Sequence, residues 1–154
     1  LLMSGIYDTL YRNSAIKRIP LLEFLATVVE DLSKTLEAIK VSYDAPEVEI
    51  PRSISFPLGI VITELMTNAA KHAFSARSDP SLRVEAELRE GELLQCRISD
   101  NGNGFADDES TDGEPGYGVQ MMRALLEDLG GELRYEAGRP GTRAIVEIPL
   151  PGSR

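Results

Sequence analysis

Apolar residues along this chain change their spacing twice, and the two periods divide it into helices and strands. Leu2, Ile6 and Leu10 recur every four residues, so Leu1 to about Tyr11 is expected to be the end of an amphipathic helix. Pro20 then suits the first turn of a second helix. Leu22, Leu25, Val29, Leu32, Leu36 and Ile39 follow it at alternating steps of three and four. That spacing also fits a coiled coil, but so few turns without clean flanking charges favour a helix packed on its own domain.

From Val41 the period becomes two. Val41 and Tyr43 predict a short strand. Leu82, Val84, Ala86 and Leu88 alternate with polar residues and lead through Arg89-Glu90-Gly91-Glu92 to Leu94, Cys96 and Ile98, a hairpin. Leu133-Tyr135-Ala137 and Ala144-Val146-Ile148-Leu150 repeat the alternation. Strands with one apolar face predict a sheet covered on one side by helices. The helices are expected at Leu21–Ile39, about Phe56–Ala73, and about Val119–Leu129, the last stopped by Gly130-Gly131. The fold class is therefore α+β: a two-layer α/β sandwich whose mixed sheet is mostly antiparallel.

The middle helix carries chemistry. At 100° per residue, Ile62, Leu65, Met66, Ala69 and Ala73 share one arc, while Glu64, Thr67, Asn68, Lys71 and His72 share the opposite one. Glu64 and Asn68 sit one turn apart and point the same way. A neutral amide oxygen beside a carboxylate suits a hard cation such as Mg²⁺ held jointly with water and phosphate. The carboxylate can orient or deprotonate an attacking group, and Lys71 can reach a phosphate as a point charge. A polar helix face is more often simply wet, yet Ile60 and Val61 fall within this arc, which argues that part of it is covered. His72 has no second histidine with which to build a metal site.

Asp100 lies two residues beyond Ile98 and so points toward the helix layer where its strand ends. There the sheet breaks into Asp100-Asn101-Gly102-Asn103-Gly104-Phe105. An inward carboxylate can accept a hydrogen bond from an exocyclic amino group, which selects adenine over guanine. Glycines let the backbone approach a flat base or adopt positive φ. Asp-Asn-Gly is also an ordinary hairpin turn, but no alternating strand follows it. Instead comes the acidic segment 106–115, lid-like in composition, and then Gly116-Tyr117-Gly118 at the start of a helix bearing Val119, Met122, Leu125, Leu126 and Leu129. Small residues there let backbone amides and the positive dipole end meet phosphates.

Composition narrows the classes. At 154 residues, 42% hydrophobic and 27% charged, the chain has the length of one ordinary domain and can bury a core. Its 25 acidic against 16 basic residues leave a net charge of -9, with no basic surplus to neutralise a nucleic acid. Cys96 is the only cysteine, which excludes an internal disulfide and fits a reducing, cytoplasmic setting. No apolar run is expected to approach the roughly 20 residues of a membrane helix. The start on Leu1-Leu2-Met3-Ser4, in mid-helix, reads as a piece of a longer protein that can itself be membrane-anchored.

The order of these features resembles the catalytic ATP-binding domain of the GHKL superfamily, from about Pro20 to Pro151. Glu64-Leu65-Met66-Thr67-Asn68-Ala69-Ala70-Lys71-His72-Ala73-Phe74 is similar to its N box. Asp100 to Gly104 is similar to its first glycine box and Gly116 to Gly118 to its second. Gly141-Thr142 is similar to the last glycine motif, which implies that Thr142 helps hold the adenine-binding carboxylate and its water. The resemblance implies the Bergerat-type fold, with ATP and Mg²⁺ as ligands.

Within that superfamily the Asn-Ala-Ala-Lys-His-Ala-Phe run, the Ile6-Tyr7-Asp8-Thr9-Leu10-Tyr11-Arg12 approach and the Leu129-Gly130-Gly131-Glu132-Leu133 ending resemble sensor histidine kinases of the HisKA_2 type. The related HWE kinases place a histidine before the N-box glutamate, where this chain has Thr63. The resemblance divides the chain into 1–19, the remnant of a dimerisation and phosphoacceptor hairpin, and 20–154, the catalytic domain. It implies that Asn68 coordinates Mg²⁺, that Glu64 is catalytic, and that Lys71, Asp100, Gly102, Gly104, Gly116, Gly118 and Thr142 bind nucleotide. The acceptor histidine would lie on the upstream hairpin, since His72 occupies an N-box position that does not serve as acceptor. The partners implied are that hairpin, a response regulator and a second copy of the longer protein. Two other functions share the fold: an anti-sigma-factor-type serine kinase that phosphorylates a partner protein, and a non-catalytic phosphotransfer or scaffold domain.

Overall fold

Proline's fixed φ does two jobs at Pro20. In the computed structural model, which describes residues 17–72, 79–90, 92–103, 116–138 and 140–151, Pro20 ends strand β1 (Arg18–Pro20) and caps helix α1 (Leu21–Ser33) at φ -60°. The expected hairpin tail over 1–16 lies outside the described residues. The boundary expected between residues 19 and 20 falls inside β1.

The buried stripe of α1 is Leu21, Phe24, Leu25, Val28, Val29 and Leu32. Leu22, expected in that stripe, is only half-buried because the stripe is centred on its neighbours. The helix also stops at Ser33 rather than at Ile39. Ser33 Oγ donates to Glu30 O at 2.8 Å and Thr35 Oγ1 to Leu32 O at 2.8 Å. Beyond Ser33 the backbone passes into i→i−3 bonds, Thr35 N to Leu32 O at 3.0 Å and Leu36 N to Ser33 O at 3.2 Å, which tighten the last turn, and the chain turns. Leu36 and Ile39 still pack against the core from outside the helix.

Strand β3 (Glu49–Pro51) pairs antiparallel with β1, Ile19 opposite Ile50 and both buried. This two-stranded sheet was not expected. Each strand is three residues long and ends in proline, too short for alternation to register.

Helix α2 (Arg52–His72) begins a turn earlier than expected, with Pro57 inside it. Its Arg52–Lys71 stretch is long and apolar enough by composition to cross a membrane, with a mean hydropathy of 1.2 over 18 residues, although polar and charged residues interrupt it. In this fold it is a core helix: Ile54, Leu58, Val61, Ile62, Leu65 and Met66 are buried, and it packs on α1, on the sheet and on α3 (Tyr117–Asp128). Burying Val61 covers part of the polar arc, as expected.

The main sheet joins β2 (Lys40–Asp44), β4 (Ser81–Arg89), β5 (Leu93–Asp100), β7 (Thr142–Pro149) and β6 (Glu132–Ala137), in that order. Only β2 and β4 pair in parallel; the other three pairs are antiparallel. Leu82, Val84, Leu94, Cys96, Ile98, Val146 and Ile148 point from it into one core beneath the helices. The other face is charged. Arg97 meets Glu85 and Glu87, Arg134 meets Glu147, and Arg143 meets Glu136. The α+β sandwich with a mixed, mostly antiparallel sheet is therefore the observed fold.

Helix α3 ends as the glycine pair requires. Gly130, at φ +71°, donates to Glu127 O at 2.9 Å, and Gly131 donates to Leu126 O at 2.7 Å. These two bonds form a Schellman motif, whose left-handed position favours glycine.

Candidate functional site

At the end of β5 the inward phase passes from Ile98 to Asp100, whose carboxylate is fixed by backbone. Oδ1 accepts from Gly102 N at 2.9 Å and from Thr142 N at 3.2 Å. Amide donors of this kind orient a carboxylate without supplying a counter-charge. Gly141, at φ +91°, lies so close that a Cβ there would collide with the Asp100 carbonyl and sit 2.6 Å from Oδ1. Here glycine is required on two counts, its backbone conformation and the close approach.

Asn101, part of the expected glycine turn, secures the same strand end, a role that sequence reasoning did not give it. Its Oδ1 accepts from Ser81 N at 2.8 Å and its Nδ2 donates to Asp79 O at 2.9 Å, tying the start of β4 to the end of β5. An asparagine just past a strand and before glycine is the available signal, because its amide mimics backbone.

Glu64 and Asn68 lie one turn apart on α2, both half-buried, and Lys71 is exposed near its end. His72 closes the helix. Facing Glu64 is the first turn of α3. A Cβ built on Gly118 would overlap Glu64 Oε1 and lie 3.0 Å from Glu64 Cδ, whereas one on Gly116 would meet nothing within 4 Å. Gly116 is the N-cap residue, with φ -61° and no side-chain capping bond, and the first turn of α3 holds no acidic residue. Glu64 therefore brings negative charge from α2 to a helix start that has none of its own, where the dipole favours it.

Burial pushes the Tyr135 hydroxyl above its ordinary pKa; Arg123 opposes that shift and Glu64 adds to it. Tyr135 on β6 thus feels the charges of α2 and α3 together.

The expected site residues fall into two groups. Asp100, Gly102 and Thr142 are joined by hydrogen bonds, and Glu64 packs against Gly118. Gly104, with the acidic segment 106–115, lies outside the described residues. Among the described residues no cluster of three His, Cys, Asp or Glu side chains could hold a metal. A divalent cation at Asn68 would have to share oxygens brought by a ligand, as Mg²⁺ does with phosphates.

This geometry, a carboxylate at a strand end facing a helix with polar residues and a glycine-started helix beside it, has known counterparts. Residues 54–152 match the family described as histidine kinase-, DNA gyrase B-, and HSP90-like ATPases, and the chain belongs to that family. Within it, the chain is a catalytic domain of the histidine-kinase kind. It is 34% identical over 113 residues to blue-light-activated histidine kinase 2 of Erythrobacter litoralis, covering 73% of this chain and 33% of that protein. It is 31% identical over 129 residues to the sensor protein VraS of Staphylococcus saprophyticus, covering 83% and 35%. The chain thus spans about a third of the length of these curated relatives.

Among solved structures, the histidine kinase domain of the Erythrobacter litoralis blue-light activated histidine kinase superposes with a TM-score of 0.77 at 29% identity, covering 97% of this chain and 70% of that one. The catalytic domain of histidine kinase ThkA shares the fold, with a TM-score of 0.72 at 16% identity, covering 86% and 95%. These relatives are sensor and light-activated histidine kinases, not anti-sigma serine kinases.

Proposed function

We propose that this chain binds Mg-ATP between α2 and the two glycine turns and transfers the γ-phosphoryl group to a histidine on a helical hairpin of the longer protein. The observation that carries the reading is the Asp100 carboxylate, with both amides converging on Oδ1. Oδ2 is then the oxygen that would accept from adenine's amino group. Gly102 and Gly104 let the base approach, and Thr142 supports the carboxylate through its amide.

Asn68 would hold Mg²⁺, which supplies charge neutralisation to the phosphates. Lys71 and the backbone of Gly116 and Gly118 would steady the same phosphates, and Glu64 would orient the acceptor imidazole and take its proton. The γ-phosphorus to bridging-oxygen bond breaks, a phosphorus to nitrogen bond forms, and ADP leaves. Positioning and electrostatics supply most of the rate in such a transfer.

We assign the longer protein to the HisKA_2 type, with the residues before β1 belonging to its hairpin and those from β1 onward to the catalytic domain. The hairpin would pair two copies and dock a response regulator that takes the phosphoryl group onward. The working compartment would be the cytoplasm, where ATP is abundant and a lone thiol such as Cys96 stays reduced.

The test is a nucleotide titration with and without Mg²⁺ on the native chain and on Asp100→Asn. Asparagine keeps an Oδ1 for the two amides but replaces Oδ2 with a donor, so the fold should persist while ATP affinity falls at least tenfold, about 1.4 kcal/mol. Equal binding by the variant rejects the site. Acid-labile label from γ-labelled ATP on a separately made hairpin tests the transfer.

A further inference from the structure

The apolar stripe of α3 runs from Val119 through Met122, Leu125 and Leu126 to Leu129, all buried in the core or packed on it. One turn before Met122, on the same side of the helix, is Gly118. A side chain there would point at α2. A glycine stands instead, and the space its side chain would fill is taken by Glu64: a Cβ would overlap Oε1 and come within 3.0 Å of Cδ and 3.4 Å of Cγ. Gly116, two residues earlier in the same turn, has open space around it. The two glycines of Gly116-Tyr117-Gly118 are therefore not equivalent.

We infer that Gly118 is a positioning residue for Glu64: its bare α-carbon forms the socket that seats the Glu64 carboxylate against the start of α3. This deepens the kinase reading, on which its functional half rests. Three observations support the seat beyond the contact itself. α3 starts with no side-chain cap and no acid in its first turn, so the helix dipole favours a carboxylate brought to it. Glu64 is half-buried, which limits the alternatives open to its side chain. Tyr135, on the strand beneath α3, senses both Glu64 and Arg123 of α3, so the carboxylate lies at the α2–α3 junction rather than out in solvent. A methyl group at Gly118 would push the carboxylate away from this seat, and a shift of about 1 Å in a catalytic group can cost on the order of 100-fold in rate.

The experiment is a double-mutant cycle on the full chain. In a helix, glycine to alanine normally raises stability because it removes unfolded-state entropy. At this position part of that gain is lost, because a Cβ must displace the flexible end of Glu64: Gly118→Ala is expected to raise Tm less when residue 64 is glutamate than in the Glu64→Ala background. Gly116→Ala, with open space around it, serves as the steric control and should shift Tm equally in both residue-64 backgrounds. A Gly118→Ala that raises Tm equally in both backgrounds overturns the socket.

The functional half is read with the hairpin supplied in trans. Gly118→Ala should lower kcat on the order of 100-fold while KM for ATP rises less than about fivefold. A change confined to KM would mean that Gly118 serves the phosphates alone and would overturn the positioning role. If the cycle shows the difference between backgrounds but the native chain transfers no phosphoryl group, the socket stands and the kinase reading fails. If the native chain transfers and the difference between backgrounds is absent, the socket alone fails.

Discussion

The backbone amide of Thr142 donates to Oδ1 of Asp100 at 3.2 Å, across 42 residues of sequence. That bond exists because β7 lies antiparallel to β5 with Arg143 opposite Ser99, which brings the start of one strand beside the end of the other. The carboxylate that would read the base is therefore held by the register of two central strands. A slip of one residue would turn it to the other face.

Gly141→Ala tests that arrangement. Its φ of +91° disfavours an L side chain and a Cβ would strike the Asp100 carbonyl, so we expect a destabilisation of about 1–3 kcal/mol. Nucleotide affinity should fall with it, because the collision displaces Asp100 itself. Urea unfolding together with an ATP titration measures both; unchanged affinity in a folded variant would separate Gly141 from the site.

Leu126→Ala probes the seam between α3 and the rest of the core. The side chain is fully buried, and truncating such a leucine costs about 2–5 kcal/mol. The denaturation midpoint should fall by the corresponding amount with the slope unchanged. A loss below about 1 kcal/mol would mean that α3 is not packed as described.

Burial pushes the Cys96 thiol up to about 12, with Arg97 opposing weakly, and the side chain is enclosed in the centre of β5. Almost no thiolate forms at pH 8, and a reagent has no path to it. Iodoacetamide at that pH should leave the native chain unmodified and label one site per chain in denaturant. Stoichiometric labelling under native conditions would contradict the packing.

Acid sensitivity should be traceable to the charged face of the sheet. Burial resists ionisation of Glu147, but hydrogen bonds from Arg134 and Gln95 outweigh it and hold the carboxyl below its ordinary 4.5. A group whose pKa is lower folded than unfolded contributes stability above the unfolded value and loses it as pH falls through the folded one. Stability should thus drop as pH falls below about 4.5, and Glu147→Gln should make that acid limb shallower. Unfolding free energies measured between pH 7 and pH 3 decide it; parallel limbs for the two proteins would remove Glu147 from the account.

Much of this was legible in local pattern. Leu82, Val84 and Ala86 alternate as a strand and are buried as one, and Asp100 follows from the same phase two residues past Ile98. Other features were hidden because their cause is not periodic. The stop of α1 at Ser33, where the backbone passes into i→i−3 bonds, interrupts no hydrophobic spacing, and β1 with β3 is too short to show a period.

What the sequence by itself determined is the kind of each element and the face on which its chemistry sits. Glu64 and Asn68 share a face because a helix turns 100° per residue, and Asp100 points inward because a strand alternates; both are properties of a few consecutive residues. Only the tertiary structure decided which of these groups meet. Thr142 reaches Asp100 through the register of β5 and β7, and Glu64 reaches Gly118 through the packing of α2 on α3. Such contacts come from the burial of many apolar side chains acting together, whose collective outcome no single segment encodes.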